Sequence, residues 1–133
     1  AAKTAMVGFM NVLALEGASH NIRINCLAPG AATRMTATVP GRPPINVDDP
    51  PPERAPSLVT PAVLYMCSED APTGKIFQAM GGRFSQAAMY TNPGVALGTE
   101  ASFETFCDNL STINDMSAAE DGVAKRARQR SRG

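Results

Sequence analysis

The chain has no tryptophan, one histidine (His20) and only 5% aromatic residues. Its three cysteines, Cys26, Cys67 and Cys107, stand about 40 residues apart, with no C-x-x-C pair. A structural zinc needs about four clustered ligands, so a protein-only structural zinc is not expected, and an odd, dispersed set of thiols gives no disulfide framework. Reduced thiols of this kind suit a cytoplasmic protein. No apolar run approaches the roughly 18–20 residues of a membrane span, so no membrane partner is expected. Net charge is also missing: 12 Lys+Arg balance 12 Asp+Glu. Strong general attraction to nucleic acid or anionic lipid is therefore not expected.

What is present is enough for one domain. The 133 residues are 44% hydrophobic and 18% charged, which supports a core and argues against wholesale disorder. The chain opens at Ala1-Ala2-Lys3 inside a helical pattern, without Met or a leader, and reads as a piece of a longer chain. Residues 1–18 carry Met6, Phe9, Met10 and Leu13 at helical spacing, with Val7, Val12 and Leu15 widening the apolar arc; Gly17 is a plausible stop. A helix apolar on more than one side is covered on more than one side, and Gly8 in its interior fits close packing of another helix. Residues 22–28 alternate as a short strand that Pro29-Gly30 ends.

Residues 37–57 hold Pro40, Pro43, Pro44, Pro50, Pro51, Pro52 and Pro56 and read as a long loop. Thr60-Pro61 opens a helix over 61–69, with Thr60 as its cap. Residues 75–80 form a second strand closed by Gly81-Gly82. This order predicts parallel neighbours joined by a helical crossover. Beyond Arg83 the pattern weakens: 86–98 is irregular, 100–113 reads as a helix, Ser117–Glu120 as a capping box for a short last helix, and Lys125 to Arg132 as a solvated basic tail.

Two segments, AAKTAMVGFMNVLALEGASHNIRINCLAPGAATRMT (1–36) and PAVLYMCSEDAPTGKIFQAMGGRFS (61–85), resemble in order and spacing the C-terminal half of a short-chain dehydrogenase/reductase. In that family a Y-x-x-x-K motif starts a long helix, a strand ends N-x-x-x-P-G, and a variable substrate loop, a helix and a last strand with Gly-Gly follow. Lys3 matches the motif lysine, Asn25 with Pro29-Gly30 the strand end, and Gly81-Gly82 the close. Thr33-Arg34-Met35-Thr36 and residues 103–117 resemble the (3R)-hydroxyacyl-CoA dehydrogenase branch.

The resemblance implies a Rossmann-like, doubly wound α/β fold, here its C-terminal part: 1–85 as half of an NAD(P)-binding domain, with 37–57 as substrate lid, and 86–133 as a helical extension. It implies NAD or NADP as cofactor, and an alcohol, ketone or acyl-CoA as substrate. Lys3 takes a catalytic and ribose-binding role; Pro29, Gly30, Ala31, Ala32 and Thr33 take the nicotinamide end. It also implies a homo-oligomer through helix 1–18. Asn25 is read as structural or water-binding rather than catalytic, and His20 as a turn residue.

The chain departs from the family pattern where it matters for activity. The Gly-rich loop, catalytic Ser and Tyr do not occur in these residues, and neither Tyr65 nor Tyr90 is followed four positions later by Lys. Arg34 stands where many relatives have the cofactor-contacting threonine, with Thr33 one position earlier. The chain alone is therefore expected to be inactive, and an inert remnant acting only as a helix-mediated oligomerisation module is the alternative.

Overall fold

The computed structural model describes residues 1–41 and 43–123. Contacts divide the chain into two compact units, Ala1–Ala87 and the part from Ala88 onward. The basic tail lies outside the described residues.

In the first unit, α1 (Ala2–Gly17) opens without a side-chain cap. It buries Met10, Ala14 and Gly17, the i, i+4, i+7 stripe that one helix face presents. Its other side stays in solvent: Met6, Phe9 and Val12 are each more than half exposed, and a Cβ on Gly8 would meet nothing within 4 Å. Gly17 is needed for a close approach. A Cβ there would sit 3.0 Å from Ile22 Cβ, where Ile22 N–H bonds Gly17 O at 3.0 Å. Asn21, at φ 55°, makes the turn that returns the chain, with His20 in the short 3-10 turn before it.

Strand β1 spans Cys26–Gly30, not 22–28, and so includes the Pro-Gly pair expected to end it. The reason lies in the ladder. Cys26 N–H donates to Lys75 O, which by strand alternation turns the even-numbered N–H groups toward the partner strand and position 29 away from it. Proline on that side loses no hydrogen bond to that partner. A one-turn α2 (Arg34–Ala37) follows. The proline-rich segment carries 3-10 turns at Pro52–Arg54 and Pro56–Val59 before α3 (Thr60–Met66). Thr60 lies within α3 and does not cap it. The helix stops short of residue 69 because Ser68 closes onto Tyr65 O with both its N–H and its hydroxyl.

Strand β2 (Ile76–Met80) runs parallel to β1, Cys26 opposite Ile76 through Gly30 opposite Met80, as the crossover required. The segment after Arg83, read as fading, forms β3 (Arg83–Ala87), antiparallel to β2. Gly81 (φ 58°) and Gly82 (φ 72°) make the tight turn between them; two successive positive φ angles suit a two-residue hairpin and little but glycine. The fold is thus α/β, a three-stranded mixed sheet in the order β1-β2-β3. Among the described residues its buried apolar ones are Met10, Ala14, Ala32, Ala62, Ala71 and Ala79, and none of the described large side chains is fully enclosed.

In the second unit, the helix expected over 100–113 is two, α4 (Phe103–Asp108) and α5 (Leu110–Asn114). Asn109 divides them, its side-chain amide donating to Thr105 O at 2.8 Å. Ser102 and Thr105 cap α4 reciprocally. Two short strands, β4 (Tyr90–Thr91) and β5 (Glu120–Asp121), pair antiparallel. Glu120 is therefore in a strand, and Asp121 Oδ1 accepts Val123 N–H in place of the expected capping box. No helix among the described residues is long and apolar enough to cross a membrane.

Candidate active site

The carboxyl end of β1 and the turn into α2 build one wall of a cavity of about 490 Å³, lined by Lys3, Ala28, Pro29, Ala31, Thr33, Met35 and Thr36. Lys3 reaches it from the first turn of α1 and has no hydrogen-bond or ion-pair partner among the described residues. Thr33 is extended (φ −143°, ψ 166°) and caps α2: its Oγ1 accepts Thr36 N–H at 3.3 Å while Thr36 Oγ1 accepts Thr33 N–H at 2.7 Å. Four of the six residues singled out in the sequence, Lys3, Pro29, Ala31 and Thr33, therefore face one space.

The other two do not line that cavity. Ala32 is 2% exposed, and its N–H donates to Arg54 O at 2.8 Å, which ties the turn to the end of the proline-rich segment. Gly30 lines a second cavity of about 340 Å³ with Met80 and Arg83. A Cβ on Gly30 would come within 2.7 Å of Met80 Cγ and Sδ, so only glycine lets the Met80 side chain lie across the strand there. Asn25 has a structural task. Its amide donates to Pro72 O at 2.6 Å and accepts Lys75 N–H at 3.1 Å, fastening the α3–β2 connection to the start of β1. Arg23, donating to Glu69 O, and Ile24, donating to Thr73 Oγ1 at 3.0 Å, hold the same connection.

Sequence reasoning missed Met35 and Thr36 as lining residues and Arg54 O as an anchor. The spacing Thr33-x-x-Thr36, an N-cap with a hydroxyl at the third helical position, was a readable signal for Thr36. The Arg54 contact joins residues far apart in sequence and had no local signal.

The chemistry of the lining is small side chains, a proline ring, two hydroxyls and one ammonium. A flat heteroaromatic ring with a hydroxyl-bearing sugar fits such a wall. No glycine-rich strand-to-helix turn that could cradle a pyrophosphate occurs in the sequence. A cavity outside the carboxyl ends of parallel strands joined by a helix is the ligand-site arrangement of open α/β sheets.

Comparison with known proteins agrees with this class. The family model for short chain dehydrogenases matches residues 1–42. A short-chain type dehydrogenase/reductase of Mycobacterium tuberculosis is 37% identical over 121 residues, covering 90% of this chain and 40% of that protein. Peroxisomal multifunctional enzyme A of Dictyostelium discoideum is 38% identical over 94 residues, 70% of this chain and 20% of that protein. Among solved structures, full-length peroxisomal multifunctional enzyme type 2 from Drosophila melanogaster superposes with a TM-score of 0.62 at 23% identity, over 98% of this chain and 24% of that one. The chain belongs to the short-chain dehydrogenase/reductase family and has its Rossmann-like α/β fold; it spans well under half the length of these relatives.

Proposed function

We propose that the chain is part of an NAD(P)-dependent oxidoreductase that exchanges a hydride between nicotinamide and a secondary alcohol or ketone, a 3-hydroxyacyl thioester being the favoured substrate. The observation that carries this reading is the convergence of Lys3, Pro29, Ala31 and Thr33 on one cavity at the end of β1. In this reading residues 1–85 are half of the dinucleotide-binding domain, 37–57 are the substrate lid and 86–133 an extension. The thioester preference rests on the likeness to peroxisomal multifunctional enzymes, and the setting is cytoplasmic, in keeping with the free thiols of Cys26, Cys67 and Cys107.

Nicotinamide, when bound, supplies the hydride acceptor or donor. The Pro29–Ala31 backbone, free of bulky side chains, lets a flat ring lie close. Thr33 contributes a hydroxyl toward the phosphate side, and Ala32, held by Arg54 O, keeps the turn from yielding. Lys3 places a positive charge that hydrogen-bonds the ribose and favours the anionic form of a neighbouring phenol, whose ordinary pKa of about 10 is too high for proton exchange at neutral pH. The test is the reading frame upstream of the Ala1 codon. The expected result is a glycine-rich loop and a tyrosine two positions before Ala1; a start codon immediately before Ala1 would defeat the reading.

A second reading is favoured by one observation, the exposed Met6, Phe9 and Val12 on α1 with open space at Gly8. It takes the chain as a module that pairs α1 with α1 of a second copy. A strict monomer by light scattering at high concentration would remove it.

A further inference from the structure

We infer that Thr36 is a positioning residue, whose hydroxyl fixes the Ala31–Thr33 turn in the form that meets the nicotinamide ring. The inference rests on the nicotinamide reading of the cavity and adds to it a residue that the reading did not use. Three observations lead to it. Thr36 lines the same cavity as Lys3 and Thr33. Its Oγ1 is the hub of the turn, lying 3.1 Å from Ala31 O and 2.9 Å from Thr33 O and accepting Thr33 N–H at 2.7 Å. And α2 is only four residues long, too short to hold its own shape, because a first helical turn costs more order than it returns in hydrogen bonds.

The consequence for the wall is specific. A hydroxyl has one proton and two lone pairs. Thr36 uses the proton on the two carbonyls and a lone pair on Thr33 N–H, which engages Ala31 C=O and Thr33 N–H within the turn. Besides Ala32 C=O, on a residue only 2% exposed, two polar groups of the turn then remain for a ligand. One is Ala31 N–H, which has no partner among the described residues. The other is the Thr33 hydroxyl, which accepts Thr36 N–H at 3.3 Å and lies 3.4 Å from Thr36 Oγ1. Ala31 N–H is then held where a ring carboxamide oxygen can accept it, with the Thr33 hydroxyl left for the phosphate side, and losing the Thr36 hydroxyl frees the turn to move both out of place.

The test uses the full chain labelled with ¹⁵N and titrated with nicotinamide mononucleotide, with adenosine monophosphate as control. The wild type is expected to show saturable millimolar shifts over Ala31–Thr36 with the nicotinamide compound only. Thr36→Val keeps the shape and removes the hydroxyl, and should weaken that binding about fivefold, the effect of one hydrogen-bonded group. Thr36→Ser should restore it. Equal binding by wild type and Thr36→Val overturns the positioning role and leaves the nicotinamide reading standing. Absence of shifts in the wild type overturns both. Amide exchange at Thr33 in the wild type gives a check that needs no variant: the amide should be protected, and exchange as fast as in an unstructured peptide would show that the clasp does not exist.

Discussion

The two units are held by different means. Residues 1–87 carry seven Lys+Arg and six Asp+Glu and are organised by pairing between strands some 50 residues apart, Cys26 with Ile76 and onward. Residues 88–123 carry six Asp+Glu and no Lys or Arg. Their strands are two residues long, and much of their order comes from side chains bonded to nearby backbone: Ser102 with Thr105, Asn109 with Thr105 O, Asp115 with Ser117, Asp121 with Val123. The first unit is therefore set by which strands meet, whereas the second is set by whether its caps are made. Function follows the first kind of order, since the cavity needs α1, β1 and α2 together.

The largest expected effect concerns that cavity. The chain alone should show no micromolar binding of NAD or NADP by calorimetry and no alcohol turnover. On the proposed reading it offers the nicotinamide end without a phosphate-cradling loop, and the few remaining contacts must offset a loss of rigid-body freedom worth several kcal/mol. Micromolar heats from a folded monomer would mean that the first unit builds its site from other residues.

Next in size is Asn92→Ala in the second unit. The Asn92 amide donates to Ile113 O at 2.7 Å and to Asp115 O at 2.8 Å, clasping the end of α5 to β4. Removing it leaves two carbonyls without that donor and should cost about 1–3 kcal/mol by denaturant unfolding. Faster amide exchange should be confined to 88–123; if the β1–β2 amides loosen equally, the two units do not unfold separately.

The difference between the units also explains what was legible in the sequence. The order α1, β1, α3, β2 could be read because apolar periodicity and punctuation at Gly17, Thr60-Pro61 and Gly81-Gly82 all agree with it. Lys3 and the Pro29–Thr33 run stood out through a spaced motif. The register of β1 was misread because Pro29 looked like a terminator, and which way its missing N–H faces is decided by β2. Strand β3 was missed although Gly81-Gly82 is a hairpin signal, because the residues after it, Arg83 to Ala87, barely alternate. The break at Asn109 turns on one side chain reaching back to Thr105 O, which the apolar spacing of Phe103, Phe106 and Leu110 conceals. Ala32 fastened to Arg54 O is a contact between residues 22 apart that no local pattern announces.

Within the first unit, Asn11→Leu is expected to stabilise the chain by about 1 kcal/mol. Asn11 Oδ1 is buried without a hydrogen-bond partner among the described residues, and an unpaired buried acceptor costs more than an apolar group of the same size. Thermal melting would register the gain; a lower melting temperature would show that the amide is satisfied after all.

The smallest expected effect is an acid response confined to the second unit. The Ser117 N–H, and after it the Ser117 side chain, holds the Asp115 carboxyl below its ordinary range; its own backbone N–H, and after it the Ser102 side chain, does the same for Glu104. A carboxyl whose folded pKa is depressed stabilises the fold above its unfolded value, near 4, and that contribution fades as pH falls through the lower folded value. Both groups are fully exposed, so solvent screening keeps the effect small. The expected result of an NMR titration from neutral pH downward is that the Ser117 and Glu104 amides move and begin to exchange below about pH 4, while the β1–β2 amides hold their positions. Asp115→Asn should abolish the Ser117 part of the response, because an amide oxygen still accepts the Ser117 N–H but cannot titrate. A response that survives that substitution unchanged would assign the acid sensitivity of the second unit to another carboxylate.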